Sequence, residues 1–380
     1  MKVVVIVPEP YSPVYGGALA TWTYQVYRLL SLDAKVIAKS ADDCYDTPQM
    51  FCYQTNPLAE LFHDKIRNRS LKGLLQPAKQ WLSNSDGRYA ANLCRSVTPE
   101  IIHIHNAPSI VLPVKRLNSK SHIILHMNND HLVGCYNSRE LEEIVTSVDR
   151  IAFCSEYIRQ NALDNIPILK KEKTFLIANG ADNLFNPSAT REFIDDPCLL
   201  FVGRIVPDKG LHILLEALET IFHSYPRATL RVVGGVNFGS NEESEYLKSI
   251  RNKVSTWGDR IVFVGPVPHD RIATEFAQAD LFVCPSIWQD PLPMVNAEAM
   301  ACGLPIVAFA RGGIPEIVGD AGILVQEISA PALAEAIDTV LSDTDLRQRL
   351  SQNGIERVSK IFNWQAISQV WLQEIQKLGQ

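Results

Sequence analysis

Two carboxylates, Asp290 and Glu298, flank the predicted start of a helix that follows an apolar strand at 280–284. The first backbone N–H groups of a helix have no intrahelical partners and can bind phosphate. A carboxylate on either side of them can accept hydrogen bonds from hydroxyl groups, which phosphate cannot supply. Because a sugar nucleotide presents hydroxyl groups on both sides of its phosphates, residues 284–303 predict a site for that class of ligand.

A second motif follows the apolar strand at 199–202 and contains Gly203, Arg204, Lys209 and Gly210. Two fixed cations at this point would stabilise the negative charge that grows on a nucleotide diphosphate as its bond to a sugar breaks. They would do so in place of a metal ion. The alternative is a pair of solvated surface cations, but the flanking glycines and the preceding strand favour the functional interpretation.

A third motif, at 15–18, places Gly16 and Gly17 between the first strand and a helix. Glycines there let the backbone approach a phosphate, and the helix start supplies N–H donors. A dinucleotide-binding fingerprint is less well supported, since G-x-G-x-x-G is missing and Lys35 and Lys39 stand where an acid is expected. A tight strand-to-helix turn explains the glycines equally well.

Three histidines fall on two predicted strands of the first half of the chain. His103 and His105 share one face of a strand because strand side chains alternate, and His126 ends the next strand. A His-x-His pair could bind a metal, but no further ligand with supporting spacing follows, so a metal site is not predicted. For His103 and His105 we expect hydrogen-bonded polar groups at a strand end.

Short apolar runs alternate with longer amphipathic ones along the whole chain, which is typical of strands buried on both faces of a parallel sheet. The pattern predicts two α/β units in succession, joined by a turn-rich linker at 179–188. Most of the motifs fall just after strands, where such sheets bind ligands. The predicted strands are 3–7, 36–39, 101–105, 123–126, 151–154, 175–177, 199–202, 230–233, 261–264, 281–284, 306–309 and 323–325.

Composition limits the class of protein. The chain has 380 residues, enough for two domains, and its net charge of −6 argues against a general nucleic-acid binder. Its eight cysteines include no C-x-x-C pair, so we expect buried reduced thiols rather than disulfides or zinc ligands. No window approaches the roughly 20 apolar residues of a membrane span, and the first apolar run is too short for a signal peptide.

We therefore expect a cytoplasmic protein. The basic segment at 63–79 could contact the inner face of the membrane or an anionic acceptor, although a solvated face is the default interpretation.

Together the motifs resemble the retaining glycosyltransferases of family 4, which have the GT-B fold. The family pattern is approximately E-P-x6-E-A-M-A-C-G-x-P-V followed by G-G-x-x-E. This chain has Asp290-Pro291, then Glu298-Ala-Met-Ala-Cys-Gly, and then Gly-Gly-Ile-Pro-Glu at 312–316. Residues 203–210 are similar to the family's G-R-x4-K-G. The first acid is Asp instead of Glu, so its carboxylate is one methylene shorter and its reach to the donor sugar differs.

The resemblance implies an α/β chain of two Rossmann-like parallel-sheet domains that face each other across a cleft. The N-terminal, acceptor-binding domain would comprise residues 1–185, completed by a C-terminal helix at 363–380. The nucleotide-sugar-binding domain would comprise residues 186–362. The resemblance also implies a metal-independent, retaining hexosyltransferase without a cofactor. UDP-glucose is the expected donor, and a saccharide or lipid-linked saccharide of polysaccharide or glycan biosynthesis is the expected acceptor.

Roles for the nucleotide-binding residues follow from the same resemblance. Arg204 and Lys209 would hold the diphosphate, and Glu298 would accept hydrogen bonds from the ribose. The backbone of Val267, in the loop after the strand at 261–264, would contact the base.

Roles for the sugar-binding residues are also implied. Asp290 and the backbone that follows it, at Pro291, Leu292 and Pro293, would bind the hexose. The family's histidine at the position of His126 lies beside the donor sugar at the reaction centre. The family's glycine pair, at Gly16 and Gly17 here, lies against the distal phosphate or sugar. His126, Asp290, Arg204 and Lys209 are therefore the predicted catalytic residues.

Three alternatives remain from the sequence. A GT-B sugar-nucleotide epimerase would bind the same donor but convert it without an acceptor. A non-catalytic nucleotide-sugar-binding protein is compatible with Asp at position 290. A two-domain solute-binding protein would need export.

Asp343-Thr-Asp345 matches the metal-binding D-x-D of the other major glycosyltransferase fold, but its position between two helical patterns predicts a helix N-cap.

Overall fold

The computed structural model describes residues 1–12, 17–39, 43–45, 50–53, 76–181, 196–236, 244–269 and 271–378, without the side chains of 50–53 and 76–86. The chain divides into two compact units. Unit 1 contains Met1–Ile177 and Ser368–Gln380, and unit 2 contains Ala178–Ile367. The predicted domain boundary at 185/186 falls in a stretch, 182–195, that lies outside the described residues.

Unit 1 is built on a parallel sheet whose described strands follow the order β3-β2-β1-β4-β5-β6-β7. The strands are β1 (Lys2–Pro10), β2 (Asp33–Lys39), β3 (Met50–Tyr53), β4 (Ile101–His105), β5 (His122–Met127), β6 (Arg150–Phe153) and β7 (Thr174–Leu176). The described helices are α1 (Ala18–Tyr27), α2 (Gln76–Val97), α3 (Val111–Leu117), α4 (Ser138–Ser147) and α5 (Glu156–Asn165). The order reverses between β1 and β4, as in a Rossmann sheet.

Unit 2 contains a second parallel sheet, with its described strands in the order β10-β9-β8-β11-β12-β13. The strands are β8 (Cys198–Val202), β9 (Thr229–Val233), β10 (Ile261–Gly265), β11 (Leu281–Cys284), β12 (Ile306–Phe309) and β13 (Gly322–Val325). The described helices are α6 (Leu211–Ser224), α7 (Glu245–Val254), α8 (Ala273–Ala277), α9 (Met294–Ala301), α10 (Ile314–Val318), α11 (Ala330–Ser342), α12 (Thr344–Arg357) and α13 (Trp364–Gln376). Here the order reverses between β8 and β11.

The predicted α/β fold class is confirmed, and every strand predicted from an apolar run is present, with bounds that differ by three residues or fewer. Burial on both faces explains why these runs are continuous rather than alternating: Val3, Val4 and Val5 are consecutive in β1 and all have 0% exposure. The edge strand β3 was not predicted. It has only four residues, Met-Phe-Cys-Tyr, and neither alternates in polarity nor forms a long apolar run.

The C-terminal helix α13 begins in unit 2 and ends in unit 1. Trp371 is completely buried, and its Nε1 donates to the hydroxyl of Tyr27 in α1 at 3.1 Å. Arg150 forms an ion pair of 2.9 Å with Glu374. The end of this helix therefore completes the core of unit 1.

Two helix starts show the local signals that the sequence contains. Asn137 and Glu140 form a capping box at α4, with the Asn137 side chain accepting from the Glu140 N–H at 3.0 Å and the reciprocal bond at 2.9 Å. Asp343 caps α12 by accepting from the Leu346 N–H at 2.8 Å. The predicted N-cap role of the Asp343-Thr-Asp345 motif is thus confirmed.

Seven cysteines have described side chains, and all seven thiols are free. Four of them are buried as expected, whereas Cys44 and Cys198 are half-buried and Cys135 is exposed. Over the described ranges, none of the helices combines the length and the apolar character that crossing a bilayer requires. Of the basic segment at 63–79, residues 63–75 lie outside the described residues and 76–79 open α2.

Candidate functional site

Two loops of unit 2 meet at the carboxyl edge of its sheet, where the strand order reverses. One follows β8 and the other follows β11. The carbonyl oxygen of Asp208, in the first loop, accepts hydrogen bonds from Ser286 Oγ at 3.3 Å, the Ile287 N–H at 3.0 Å and the Trp288 N–H at 3.2 Å, all in the second. These bonds hold the motif at 203–210 and the motif at 284–303 in contact with each other.

At this junction the half-buried Lys209 forms an ion pair with the buried Asp290. Lys209 Nζ lies 2.8 Å and 2.7 Å from the two carboxylate oxygens of Asp290, and Ser286 Oγ donates to Oδ2 at 2.7 Å. Asp290 is only 4% exposed. A carboxylate offers about four lone-pair sites, so these contacts leave about one for a ligand hydroxyl. The predicted phosphate-binding lysine and the predicted sugar-binding acid therefore form an ion pair in this structure, and Asp290 offsets part of the positive charge of Lys209.

The glycine pair after β12 holds the loop that carries Asp290. The Gly313 N–H donates to the Asp290 carbonyl at 2.7 Å, and the Gly312 N–H donates to Gln289 Oε1 at 2.6 Å. Gly312 has φ of +54°, and a Cβ on it would lie 2.2 Å from the Asp290 carbonyl oxygen. Only glycine permits this approach, which explains the G-G of the motif in structural terms.

Gly210, in the loop after β8, likewise permits a close approach between two segments of backbone. It has φ of +70°, and a Cβ there would lie 1.8 Å from the Pro285 carbonyl oxygen. Because no larger residue fits, the K-G pair of the motif brings Lys209 directly against the loop after β11.

Arg204 places a further cation at the same edge. The loop around it is held by the Gly203 N–H bonded to the Val233 carbonyl at 3.0 Å and the Ile205 N–H bonded to the Gly235 carbonyl at 2.8 Å. Among the described residues, the half-buried Arg204 guanidinium makes no hydrogen bond or ion pair. Its five N–H donors are therefore available to a ligand.

Glu298 lies inside α9, on the side of the loop that follows β10. Its carboxylate is 4% exposed, and Oε1 lies 3.9 Å from His269 Nδ1. Val267 precedes that histidine by two positions, and its N–H and carbonyl make no hydrogen bond within the described part of the chain. The predicted ribose-binding acid and the predicted base-contacting backbone are thus brought to one place.

No side chain of the described ranges caps the start of α9. Its N-cap residue is Pro293, and Leu292 before it is buried. Pro291 and Pro293 have no N–H, so the donors in this stretch are those of Leu292 and Met294. The uncapped helix start therefore offers N–H groups to an anion or a hydroxyl oxygen.

Two polar groups near this edge were missed by the sequence reasoning. Asn296 has 0% exposure, and its Oδ1 has no hydrogen-bond partner among the described residues. Arg311 follows β12, and its Nε is likewise buried without a partner in the described ranges. Asn296 lies between Asp290 and Glu298 in the sequence, and Arg311 directly precedes the glycine pair at 312–313. These positions could have identified both residues.

The start of α1 in unit 1 is already occupied by an acid that the sequence reasoning did not select. Glu9, near the end of β1, accepts a hydrogen bond from the Ala20 N–H at 2.8 Å and also contacts the N–H groups of Gly17 and Leu19. Burial raises the pKa of Glu9. A Cβ on Gly17 would lie 2.9 Å from Glu9 Oε2. Donor binding at Gly17 stays a prediction, and Gly16 lies outside the described residues.

The three predicted histidines converge inside unit 1. His105 and His126 are register partners on β4 and β5, and all three have 0% exposure with possible ligand atoms within 4.8 Å of one another. Both ring nitrogens of His103 are hydrogen-bonded, as expected for a structural group. His105 bonds Thr23 through Nε2 at 3.1 Å, while its Nδ1 has no partner within the described residues.

Aromatic rings enclose this histidine cluster. The Trp22 ring lies edge-on to His103, His105 and His126, with centroid distances of 5.5, 5.3 and 4.9 Å. Burial lowers the pKa of His126 to about 3. Burial and the neighbouring imidazoles keep the pKa values of His103 and His105 well below the usual range. The three rings are therefore neutral at pH 7, and the predicted contact of His126 with a donor sugar stays a prediction.

Unit 1 is expected to lose stability in mild acid because of His126. In the unfolded chain the His126 imidazole has a pKa of about 6.5. Below that pH the unfolded chain therefore binds a proton that the folded chain does not bind until about pH 3. The contribution of His126 to the free energy of unfolding is therefore fully present above about pH 6.5 and falls by about 1.4 kcal/mol per pH unit below it. Calorimetry at about pH 7 and pH 5.5 measures this change. His126→Asn is the control, and an equal pH dependence in that variant contradicts the assignment.

Comparison with known proteins identifies the relatives of this chain. A family model described as glycosyl transferases group 1 matches residues 184–357. "Putative glycosyltransferase YtcC" of Bacillus subtilis is 30% identical over 71% of this chain and 70% of its own length. "Spore coat protein SA" of the same organism is 31% identical over 73% of this chain and 78% of its own length.

Solved structures with the same fold cover essentially the whole chain. Sucrose-phosphate synthase from Thermosynechococcus elongatus superposes with a TM-score of 0.78 at 22% identity, covering 100% of this chain and 99% of that one. Anabaena HepE in complex with UDP and glucose gives 0.73 at 23% identity, covering 99% of each chain. With two Rossmann-like units and these neighbours, the fold is GT-B. The chain belongs to the group 1 glycosyltransferase family.

Proposed function

We propose that this glycosyltransferase is a family 4 enzyme that transfers glucose from UDP-glucose, with retention of configuration and without a metal ion. The proposed acceptor is a saccharide or lipid-linked saccharide of polysaccharide or glycan biosynthesis. The observation that carries the proposal is the convergence of Arg204, the Lys209–Asp290 pair, Glu298 and the uncapped start of α9 at one sheet edge.

The diphosphate is the ligand that best fits the cations of this edge. Arg204 has no partner among the described residues and can hold two phosphate oxygens at once. Lys209 adds a second positive charge, which Asp290 partly offsets. As the bond between the sugar and the phosphate breaks, these groups stabilise the departing UDP, a role that a metal ion has in other transferases.

The nucleoside would lie beside Glu298 and Val267. A buried carboxylate accepts two hydrogen bonds readily, and a ribose offers two adjacent hydroxyl groups. The backbone groups of Val267, which make no hydrogen bond to another described residue, can pair with the edge of a base, for which we propose uracil.

The hexose would be held by Asp290 and by the N–H groups of Leu292 and Met294. The last lone pair of the Asp290 carboxylate accepts from one hydroxyl, while the two N–H groups donate to sugar or phosphate oxygens. In unit 1, His126 and the pair Gly16 and Gly17 are the proposed donor contacts.

The proposed reaction keeps the configuration at C1. The bond from C1 to the phosphate oxygen breaks, and UDP leaves with the electron pair. The acceptor oxygen bonds to C1 on the same face, and its proton passes to the departing phosphate. HepE, whose structures are described with UDP and glucose and with UDP-glucose, supports the choice of donor.

The test is proton NMR of UDP-glucose incubated with the protein, EDTA and a panel of methyl glycosides. The proposal expects UDP to form together with an α-linked product, or α-glucose where water is the acceptor. A β product would contradict retention. Formation of a different UDP-hexose without transfer would favour the epimerase alternative, and binding without any conversion would favour the non-catalytic one. A requirement for added magnesium would contradict the metal-free site.

A further inference from the structure

Four side chains form one hydrogen-bonded series through the core of unit 1. Trp371 Nε1 lies 3.1 Å from the Tyr27 hydroxyl. That hydroxyl lies 3.0 Å from His103 Nδ1, and His103 Nε2 lies 3.3 Å from His126 Nδ1. The series ends at His126 Nε2, which is completely buried and has no hydrogen-bond partner among the described residues.

The direction of each bond follows from the indole donor at one end and from the acceptors that the described residues offer to the Tyr27 hydroxyl. An indole N–H can only donate, so the Tyr27 oxygen accepts from Trp371. The hydroxyl hydrogen of Tyr27 then has one acceptor among the described residues, which is His103 Nδ1. A neutral His103 that accepts at Nδ1 carries its proton at Nε2, and it therefore donates to His126 Nδ1.

The same logic sets the tautomer of the last ring. Since Nδ1 of the neutral His126 accepts a hydrogen bond, its proton is on Nε2. A buried N–H without an acceptor is unfavourable, and a ligand oxygen would satisfy it.

We propose that Trp371, Tyr27 and His103 are positioning residues that hold His126 in the Nε2–H tautomer, as a fixed hydrogen-bond donor to an oxygen of the donor sugar or its phosphate. The tautomer is independent of the proposed function, whereas the contact with the donor rests on it. Held in this way, His126 cannot act as a general base through Nε2, because that nitrogen has no lone pair to accept a proton.

A metal ion bound by the three histidines is the competing explanation for the cluster. It is less well supported for two reasons. Three neutral imidazoles would leave both positive charges of a divalent ion uncompensated, since no carboxylate contacts the rings among the described residues. The rings of His103 and His126 are also nearly parallel, at 13°, with centroids 5.4 Å apart. That end-to-end arrangement suits one N–H···N hydrogen bond.

The direct test is long-range proton–nitrogen NMR of the full chain labelled with 15N-histidine. We expect His126 to show a protonated Nε2 and an unprotonated Nδ1. Tyr27→Phe removes the O–H donor while keeping the ring, and it should convert His103 and His126 to mixed tautomers. Thr23→Val is the matched control, because it removes the partner of His105 alone and should leave the His126 signals unchanged.

A kinetic cycle separates positioning from a purely structural effect. Tyr27→Phe should lower kcat about tenfold, the effect of one misdirected hydrogen bond, with KM little changed. His126→Gln carries an amide donor that has no tautomers, so adding Tyr27→Phe to it should cost less than about twofold. Equal losses in both backgrounds would overturn the positioning role.

Three further outcomes would contradict the hydrogen-bonded series or the donor contact of His126. A His126 proton on Nδ1 in the unmodified protein, or stoichiometric zinc in protein dialysed against EDTA, would overturn the series itself. Mixed tautomers in Tyr27→Phe with full turnover would instead overturn the donor contact of His126, and with it that part of the proposed function.

Discussion

Replacing Arg204 by alanine is expected to reduce turnover by about two to three orders of magnitude while the protein stays folded. A preorganised donor aimed at developing charge is worth about that much. Folding should be unaffected, because the guanidinium makes no hydrogen bond or ion pair among the described residues. The measurement is the initial rate of UDP release from UDP-glucose, together with the Tm of the variant.

The matched control for this prediction is Arg349→Ala, which removes an exposed arginine from α12 in the same unit. It should leave both turnover and Tm unchanged. Arg204→Lys should fall between the two, because it keeps the charge but loses the planar fork of donors. Turnover in Arg204→Ala within a few fold of the unmodified protein would contradict the proposed role.

Breaking the Lys209–Asp290 pair should affect stability as well as activity. Lys209→Met leaves the buried Asp290 carboxylate without its cation, which typically costs about 3–5 kcal/mol. The double variant Lys209→Met with Asp290→Asn removes both charges and should recover most of that loss. It should not recover turnover, because the site then lacks both the cation of Lys209 and the carboxylate of Asp290. Denaturant unfolding and the UDP-release assay measure the two effects.

An exposed pair provides the control for the stability effect. Lys360 and Glu356 lie 3.0 Å apart on the surface, with side chains 71% and 50% exposed. Lys360→Met should therefore change the free energy of unfolding by less than about 1 kcal/mol. If Lys209→Met were as mild as this control, or if the double variant were no more stable than Lys209→Met, the pair would not be the interaction described here.

Periodicity was sufficient to predict the described strands of both sheets except the edge strand β3. Each strand is a short apolar run between turn-forming residues, and that pattern is local. The sequence also placed Arg204, Asp290 and Glu298 after strands or at a helix start, where the structure has them. This was possible because parallel sheets collect their ligand-binding residues at one edge.

The pairing of side chains could not be predicted in the same way. Lys209 and Asp290 are 81 positions apart, and the sequence indicates only that both lie at the same edge, not that they bond each other. Glu9 and Ala20 are joined because β1 ends where α1 begins, and neither residue type signals that bond. Such contacts depend on side-chain direction, which spacing along the chain does not fix.

The contacts of the histidine cluster could not be predicted either, because they involve residues still farther apart in the sequence. Alternation predicted that His103 and His105 share a face. The contact between Tyr27 and Trp371 spans 344 positions and arises because the C-terminal helix ends in unit 1. The tautomer of His126 depends on that contact, so it follows from the three-dimensional structure alone.

Unit 2 is expected to bind a uridine diphosphate sugar through Arg204 without a metal ion. A thermal-shift panel of UDP, GDP, ADP and their hexose conjugates, with EDTA or with magnesium, tests it most directly. At about 100 times its dissociation constant a ligand stabilises by about 2.7 kcal/mol, which raises Tm by a few degrees. We expect UDP and UDP-glucose alone to produce this shift in EDTA, and Arg204→Ala to lose it. A shift that requires magnesium, favours another base or persists in Arg204→Ala would contradict the claim.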